Sequence, residues 1–209
     1  MSKNFGLAKK AKSVAVRVLD ADGSGSNAGV MAGIAYVGTE GKKKKGKSVA
    51  NLSLGGSYSS ALNAAIAAVV KDGIPFVVAA GNEAQDSCDV SPASEPTAIT
   101  VMASDSADEF AYFSNFGKCS NIIAPGVGIT STWIGSQYSI NTISGTSMAA
   151  PHVAGVVAKM LGAHEEVLTP AEVLEHLMSN ATESEVSKVP ASTSSPTPNE
   201  LLYAGCYEI

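Results

Sequence analysis

Apolar residues in this chain fall into short blocks, and the blocks alternate between two periods. Residues 13–19, Ser-Val-Ala-Val-Arg-Val-Leu, alternate and are rich in valine, which predicts a strand. Residues 27–37 are apolar at helical spacing, with Ser26 or Asn27 as the cap. Residues 49–54 read as a buried strand, and 59–71 as an alanine-rich helix closed by the C-cap glycine of Asp72-Gly73. Continuous apolar runs at 76–80 and 98–103 predict two further strands, and 121–124 a short one ended by Pro125-Gly126. Residues 146–161 form the longest helical block, bent near its start by Pro151, which has no N–H to donate. Thr169-Pro170-Ala171-Glu172 is a helix start, with Thr as cap, Pro at the first position and an acid three after the cap. That helix runs to about residue 179.

Strand and helix alternating in this way predicts an α/β protein with a mostly parallel sheet and helices on both faces. Ligands of such sheets bind at the carboxyl ends of the strands. Gly55 and Asn82 each follow a predicted strand directly and therefore share that rim. A chain of 209 residues, 45% hydrophobic and with 20 glycines, supplies a large core with close strand–helix packing.

Net charge is −5 and excludes a general attraction to nucleic acid. Lys42-Lys43-Lys44-Lys45 with Lys47 reads as a solvated loop between helix and strand, the other reading being a nuclear signal or polyanion patch. No stretch reaches the ~20 apolar residues of a membrane-spanning helix. Met1 is followed by a polar, basic start, so no signal peptide is visible.

The strongest chemical signal is Gly145-Thr146-Ser147-Met148-Ala149-Ala150-Pro151-His152. It sets a hydroxyl at the start of an apolar helix, where N–H groups and the positive dipole end favour a developing oxyanion. Such a serine needs a base and a group to orient it. The three histidines do not supply one. His152 follows Ser147 by five residues and points about 140° away on the same helix. His164 falls near the end of that helix, and His176 on a later amphipathic segment. Asp20 and Asp22 flank a turn, Asp20-Ala21-Asp22-Gly23, and read as turn formers. Locally, Asn82 after Ala80-Gly81 is as much a turn residue as an amide donor.

The 145–152 string closely resembles the active-site serine motif of subtilisin-like serine proteases. Asn51-Leu52-Ser53-Leu54-Gly55-Gly56 resembles the family's substrate-binding strand, and Val78-Ala79-Ala80-Gly81-Asn82 the strand ending in its oxyanion asparagine. Ser91-Pro92-Ala93-Ser94-Glu95-Pro96 and Tyr112-Phe113-Ser114-Asn115-Phe116-Gly117 fit the same pattern. Order and spacing are most similar to the proteinase K branch, in particular to fungal vacuolar proteases of the cerevisin type. The resemblance runs from Phe5 to Ala204.

The resemblance implies a three-layer fold incomplete at its N-terminus, because the family's Asp and His segments lie upstream of a stretch similar to 4–10. It divides the chain into a partial peptidase domain (1–183), a Ser/Thr/Pro-rich flexible segment (184–200) and a final strand with tail (201–209). Ser147 is implied as nucleophile and Asn82 as oxyanion donor. Ser53, Leu54 and Gly55 would form one wall of the substrate cleft, Ala79, Ala80 and Gly81 another, and Gly23, Ser24 and Gly25 the opposite edge. Peptide or protein would be the substrate, cleaved with broad specificity. A pro-segment or inhibitor is an expected partner of the parent protein, and nucleic acid and membrane are not.

Three cysteines leave at least one unpaired. The resemblance implies a Cys88–Cys119 disulfide with Cys206 free; three reduced thiols are the other reading. A disulfide fits a vacuolar or secreted protein, and Asn180-Ala181-Thr182 is then a glycosylation acceptor. Asn51-Leu52-Ser53 also matches the acceptor pattern but lies in a predicted buried strand. No metal or cofactor is required. Asn121 stands where proteinase K relatives place a calcium-binding aspartate, so calcium would bind weakly at most. With no Asp or His segment, the chain is expected to be inactive alone and marginally stable. The alternative is a catalytically dead, truncated subtilase acting as a peptide binder or as an antigen, fungal members of the family often being allergens.

Overall fold

The computed structural model describes residues 4–191 and 195–205. Its elements run α1 (Asn27–Lys42), β1 (Ala50–Leu52), β2 (Gly56–Ser57), α2 (Ser60–Lys71), β3 (Phe76–Ala79), β4 (Val90–Ser91), β5 (Ile99–Ser104), β6 (Ile122–Pro125), β7 (Ile129–Thr132), β8 (Ile140–Ile143), α3 (Thr146–Ala163), α4 (Pro170–Asn180), β9 (Thr182–Glu183) and β10 (Glu200–Leu201). Six strands form one sheet in the order β1-β3-β5-β6-β10-β9. Every pairing in it is parallel except that of β10 with β9.

β3 shows why the central strands read as unbroken apolar runs: all four of its residues are buried. Phe76 and Val78 pack with Val30 and Ile34 of α1 and Leu62 and Ile66 of α2. Val77 and Ala79 pack on the other face with Ala149, Val153 and Met160 of α3 and Val173 and Leu177 of α4. The result is the expected three-layer α/β arrangement, with a sheet covered on both faces. The helix starts follow their sequences. Ser26 Oγ accepts the Gly29 N–H and Ser59 Oγ the Leu62 N–H, while Thr169 and Glu172 form a complete capping box.

Three features differ from the sequence expectations. Residues 13–19 form no strand. Alternation needs a neighbouring strand to become a ladder, and β1 is the outer strand of the described sheet. The methyls of Val16 and Val18 rest instead against Gly33 of α1. Helix α1 runs five residues beyond 37, through Gly38 and Gly41. Their smallness is used in packing: a Cβ on Gly38 would lie 3.0 Å from Val69, and one on Gly41 2.4 Å from Ile74. The third is the exposed hairpin β7–β8, whose polar alternation Ile-Thr-Ser-Thr escaped the periodic reading.

Cys88 and Cys119 are joined as a disulfide. Cys206 lies outside the described residues, as do residues 192–194 of the Ser/Thr/Pro-rich stretch. The described part of 184–200 is tied down at several points. Asn199 exchanges two side-chain hydrogen bonds with the Val186 backbone, and Phe110 N–H donates to Ser187 O. Ser195 and Thr197 accept from the Lys118 and Gly117 N–H groups.

Candidate active site

Helix α3 starts with Gly145 as its cap, a residue with no side chain to satisfy the first-turn N–H groups. Ser147 is its second residue and is half-buried. Pro151 lies inside α3, which runs on past it to Ala163. Proline at 151 cannot donate to the carbonyl four residues back, which is that of Ser147. Ser53 Oγ, from the segment after β1, donates to that oxygen at 2.8 Å, and Ser147 Oγ lies 3.5 Å from Ser53 O in return. The nucleophile candidate and the substrate-wall candidate are thereby locked together.

Asn82 lies on the turn after β3, on the same rim. Its Oδ1 accepts from Thr146 N–H at 2.8 Å and from Thr146 Oγ at 3.0 Å. Thr146 Oγ in turn accepts the Gly81 N–H at 3.1 Å. Both donors fall on the amide oxygen, so the Asn82 NH₂ group is the end left to face outward. Thr146 is fully buried and, among the described residues, gives its hydroxyl only to this turn. Sequence reasoning named Asn82 and Ser147 but missed Thr146, because its role lies in a contact across 64 residues. Glu83 was missed too: its Oε2 accepts the Asn82 N–H at 2.9 Å.

Ala79 and Ala80 are buried under the turn and Gly81 is half-buried, with Ser53 and Leu54 also half-buried and Gly55 exposed. Gly23, Ser24 and Gly25 sit in an exposed turn organised by Asp20, whose Oδ1 accepts the Asp22 and Ser24 N–H groups. Asp20 is thus the turn former its sequence suggested. Among the described residues no histidine is hydrogen-bonded to Ser147 Oγ, which lies against Ser53 O. His152 Nδ1 is 2.8 Å from Met148 O, and the rings of His164 and His176 face each other 5.2 Å apart.

Among the described residues no cluster of three or more His, Cys, Asp or Glu could hold a metal. At the calcium position of the resemblance, Asn121 Oδ1 accepts the Thr100 N–H at 2.7 Å. An amide oxygen already committed to the backbone, in place of a carboxylate, does not fit a tight site for a hard cation. Asn180 ends α4, exposed, with Nδ2 donating to His176 O at 2.7 Å. Asn51, expected to be buried, is exposed on β1: successive side chains of a strand point to opposite faces, and Ala50 and Leu52 take the face packed on α1 and α2.

A serine at a helix N-terminus and an oriented amide on the neighbouring rim are two of the parts that serine hydrolases use. The sequence matches the Subtilase family over residues 2–197, and the chain belongs to that family. It is 57% identical over 158 residues to subtilisin-like protease 2 of Pseudogymnoascus destructans, covering 76% of this chain and 39% of that protein. It is 48% identical over 203 residues to a cuticle-degrading serine protease of Arthrobotrys oligospora, covering 97% of this chain and 48% of that one. A crystal structure of a cold-adapted subtilisin-like serine proteinase superposes with a TM-score of 0.88 at 42% identity, covering 96% of this chain and 70% of the other. The chain therefore spans less than half the length of these two curated relatives.

Proposed function

We propose that the chain carries the nucleophile and oxyanion half of a serine endopeptidase of broad specificity. Ser147 Oγ attacks a peptide carbonyl, and the negative oxygen is received by the Asn82 NH₂ group and the Ser147 N–H. A side-chain donor of this kind is worth about 3–4 kcal/mol in the transition state. The observation that carries the reading is the double hydrogen bond from Thr146 that turns the Asn82 amide nitrogen outward beside Ser147.

The substrate backbone lies extended along Ser53, Leu54 and Gly55, with Ala79, Ala80 and Gly81 as the second wall and Gly23, Ser24 and Gly25 on the far edge. Recognition through backbone on two sides is largely independent of sequence, hence the broad specificity. The proton on Ser147 Oγ has no acceptor among the histidines, whose placement supports slow or no turnover by this chain alone. The base and its orienting acid belong to the rest of the family's domain. In that setting the chain works in a vacuolar or secreted protein, where the disulfide is stable, under the control of a pro-segment or inhibitor, and Asn180 is its glycan acceptor. Calcium binds weakly at most.

The test is intact mass after exposure to a fluorophosphonate probe, with Ser147→Ala as control. Labelling that needs Ser147 supports an activated nucleophile. A folded chain that takes no label points to the second reading, favoured by the histidine positions, of a peptide-binding subtilase chain without turnover.

A further inference from the structure

The turn that carries Asn82 is gripped by one buried side chain from another segment. Asn115 is fully buried, and its amide uses its whole hydrogen-bonding capacity. Oδ1 accepts from Glu83 N–H at 3.0 Å and Gln85 N–H at 3.1 Å. Nδ2 donates to Ala80 O at 3.0 Å and to Glu83 Oε2 at 2.8 Å. The points it holds bracket Asn82 on both sides. Its own N–H donates to Gly81 O at 3.0 Å, closing the bracket.

Gly81 and Asn115 are complementary. Gly81 has φ +106°, and a Cβ there would lie 2.2 Å from Asn115 Nδ2. The space that glycine leaves is where the amide enters. The segments on either side run as a ladder: Ala84 N–H donates to Phe113 O, Phe116 N–H to Gln85 O and Ser87 N–H to Phe116 O. The Cys88–Cys119 disulfide closes the ladder's far end. Few side chains could replace this one. Aspartate would offer acceptors without donors, and glutamine is one methylene too long for the same pocket.

We propose that Asn115 is the positioning residue of the oxyanion turn: its four hydrogen bonds fix the backbone on which Asn82 presents its amide. This rests on the reading of Asn82 as the oxyanion donor. The placement of such a donor matters because a shift of about 1 Å costs on the order of a hundredfold in rate.

The experiment follows the full chain by NMR, reading amide exchange at Glu83 and Gln85 and the Asn82 side-chain amide resonance. Asn115→Ala is expected to speed exchange at Glu83 and Gln85 at least about tenfold and to move the Asn82 resonance, while Val101 and Ile122 in the sheet keep their rates. Asn115→Asp keeps the acceptors but sets a carboxylate against Glu83. Asp86, the other nearby acid, is turned to the Cys88 N–H. The turn of this variant is therefore expected to loosen at about pH 7 and to tighten towards about pH 5, as the two carboxyls share a proton. A residue that merely filled space would loosen the turn and the sheet alike, whereas here the response is confined to exchange at Glu83 and Gln85.

Unchanged exchange and an unmoved Asn82 resonance in both variants would overturn the proposal, as would an Asn115→Asp turn indifferent to pH. Should Asn115→Ala unfold the sheet, the pH profile of Asn115→Asp decides. Ser147-dependent fluorophosphonate labelling of the parent chain, run alongside, tests the activation of Ser147 separately, while the exchange data judge Asn115 on their own.

Discussion

The Ser53 hydroxyl holds the Ser147 carbonyl at 2.8 Å, and it finds that oxygen free because the residue four positions on is Pro151. A proline inside a helix ordinarily leaves a carbonyl to water. Here the orphaned acceptor ties the serine-bearing helix to the end of β1. The bond and the proline are expected to be coupled. Ser53→Ala should cost about 1 kcal/mol in urea unfolding. In a Pro151→Ala background, where position 151 supplies its own N–H, the same change should cost clearly less. Strict additivity in this double-mutant cycle would refute the coupling.

Thr146→Val keeps the shape of the side chain and removes the hydroxyl that fixes the Asn82 amide. Loss of the donor itself, in Asn82→Ala, is expected to slow fluorophosphonate labelling of Ser147 by about a hundredfold or more. Thr146→Val should slow it by about tenfold, since the donor remains but the Thr146 N–H alone orients it. Equal rates for Thr146→Val and the parent chain would show that the hydroxyl does not set the orientation.

The Cys88–Cys119 disulfide spans 31 residues of chain. The loop-entropy account assigns such a closure about 3–4 kcal/mol. Paired Cys88→Ser and Cys119→Ser substitutions should therefore lower the melting temperature by about 10 °C in a protein of this size. A calorimetric scan checks this, and a melting temperature within a degree or two of the parent's would contradict it.

Glu200 gives stability a dependence on pH. It faces Glu183 across the β10–β9 pair, and its Oε2 is buried without a hydrogen-bond partner among the described residues. Burial first, and the Glu183 charge second, raise its carboxyl above the ordinary 4.5. The folded chain then holds this proton more tightly than the unfolded chain does. The stability it contributes is fully present below the ordinary value and is lost as pH rises through the raised one. Glu200→Gln should flatten that loss in melting temperatures taken from about pH 4 to about pH 7. Asp105 and Glu172 act in the opposite direction. Backbone hydrogen bonds from Glu109 and Ala107 lower the first, and from Thr169 the second, so their contribution fades on acidification. A Glu200→Gln profile as steep as the parent's would rule out this source.

Much of the fold was legible because it is written in local or periodic terms. β3 and β5 are continuous apolar runs because helices cover both their faces, and α4 announces itself in four residues of capping box. Residues 13–19 misled because alternation describes a side-chain pattern, whereas a strand also needs a partner. The far end of α1 was not legible, because the smallness of Gly38 and Gly41 serves contact with Val69 and Ile74, which no local pattern records. In the site, Ser147 and Asn82 stood out through their motifs. Thr146 and Asn115 did not, since what they do is define the positions of residues 64 and about 30 places away.

β10 enters the sheet between β6 and β9, with Leu201 opposite Ile123 on one side and Thr182 on the other. Spatial order and order of synthesis are therefore different. While the chain leaves a ribosome, β6 waits for a neighbour that is made about 75 residues later, and β9 has none until then. Parallel pairing over such separations is slow and leaves an open flank in the meantime. Glu200 and Leu201 thus set when the sheet closes, and a nascent chain halted short of residue 200 would display the open edge of β6 as a ready surface for a chaperone.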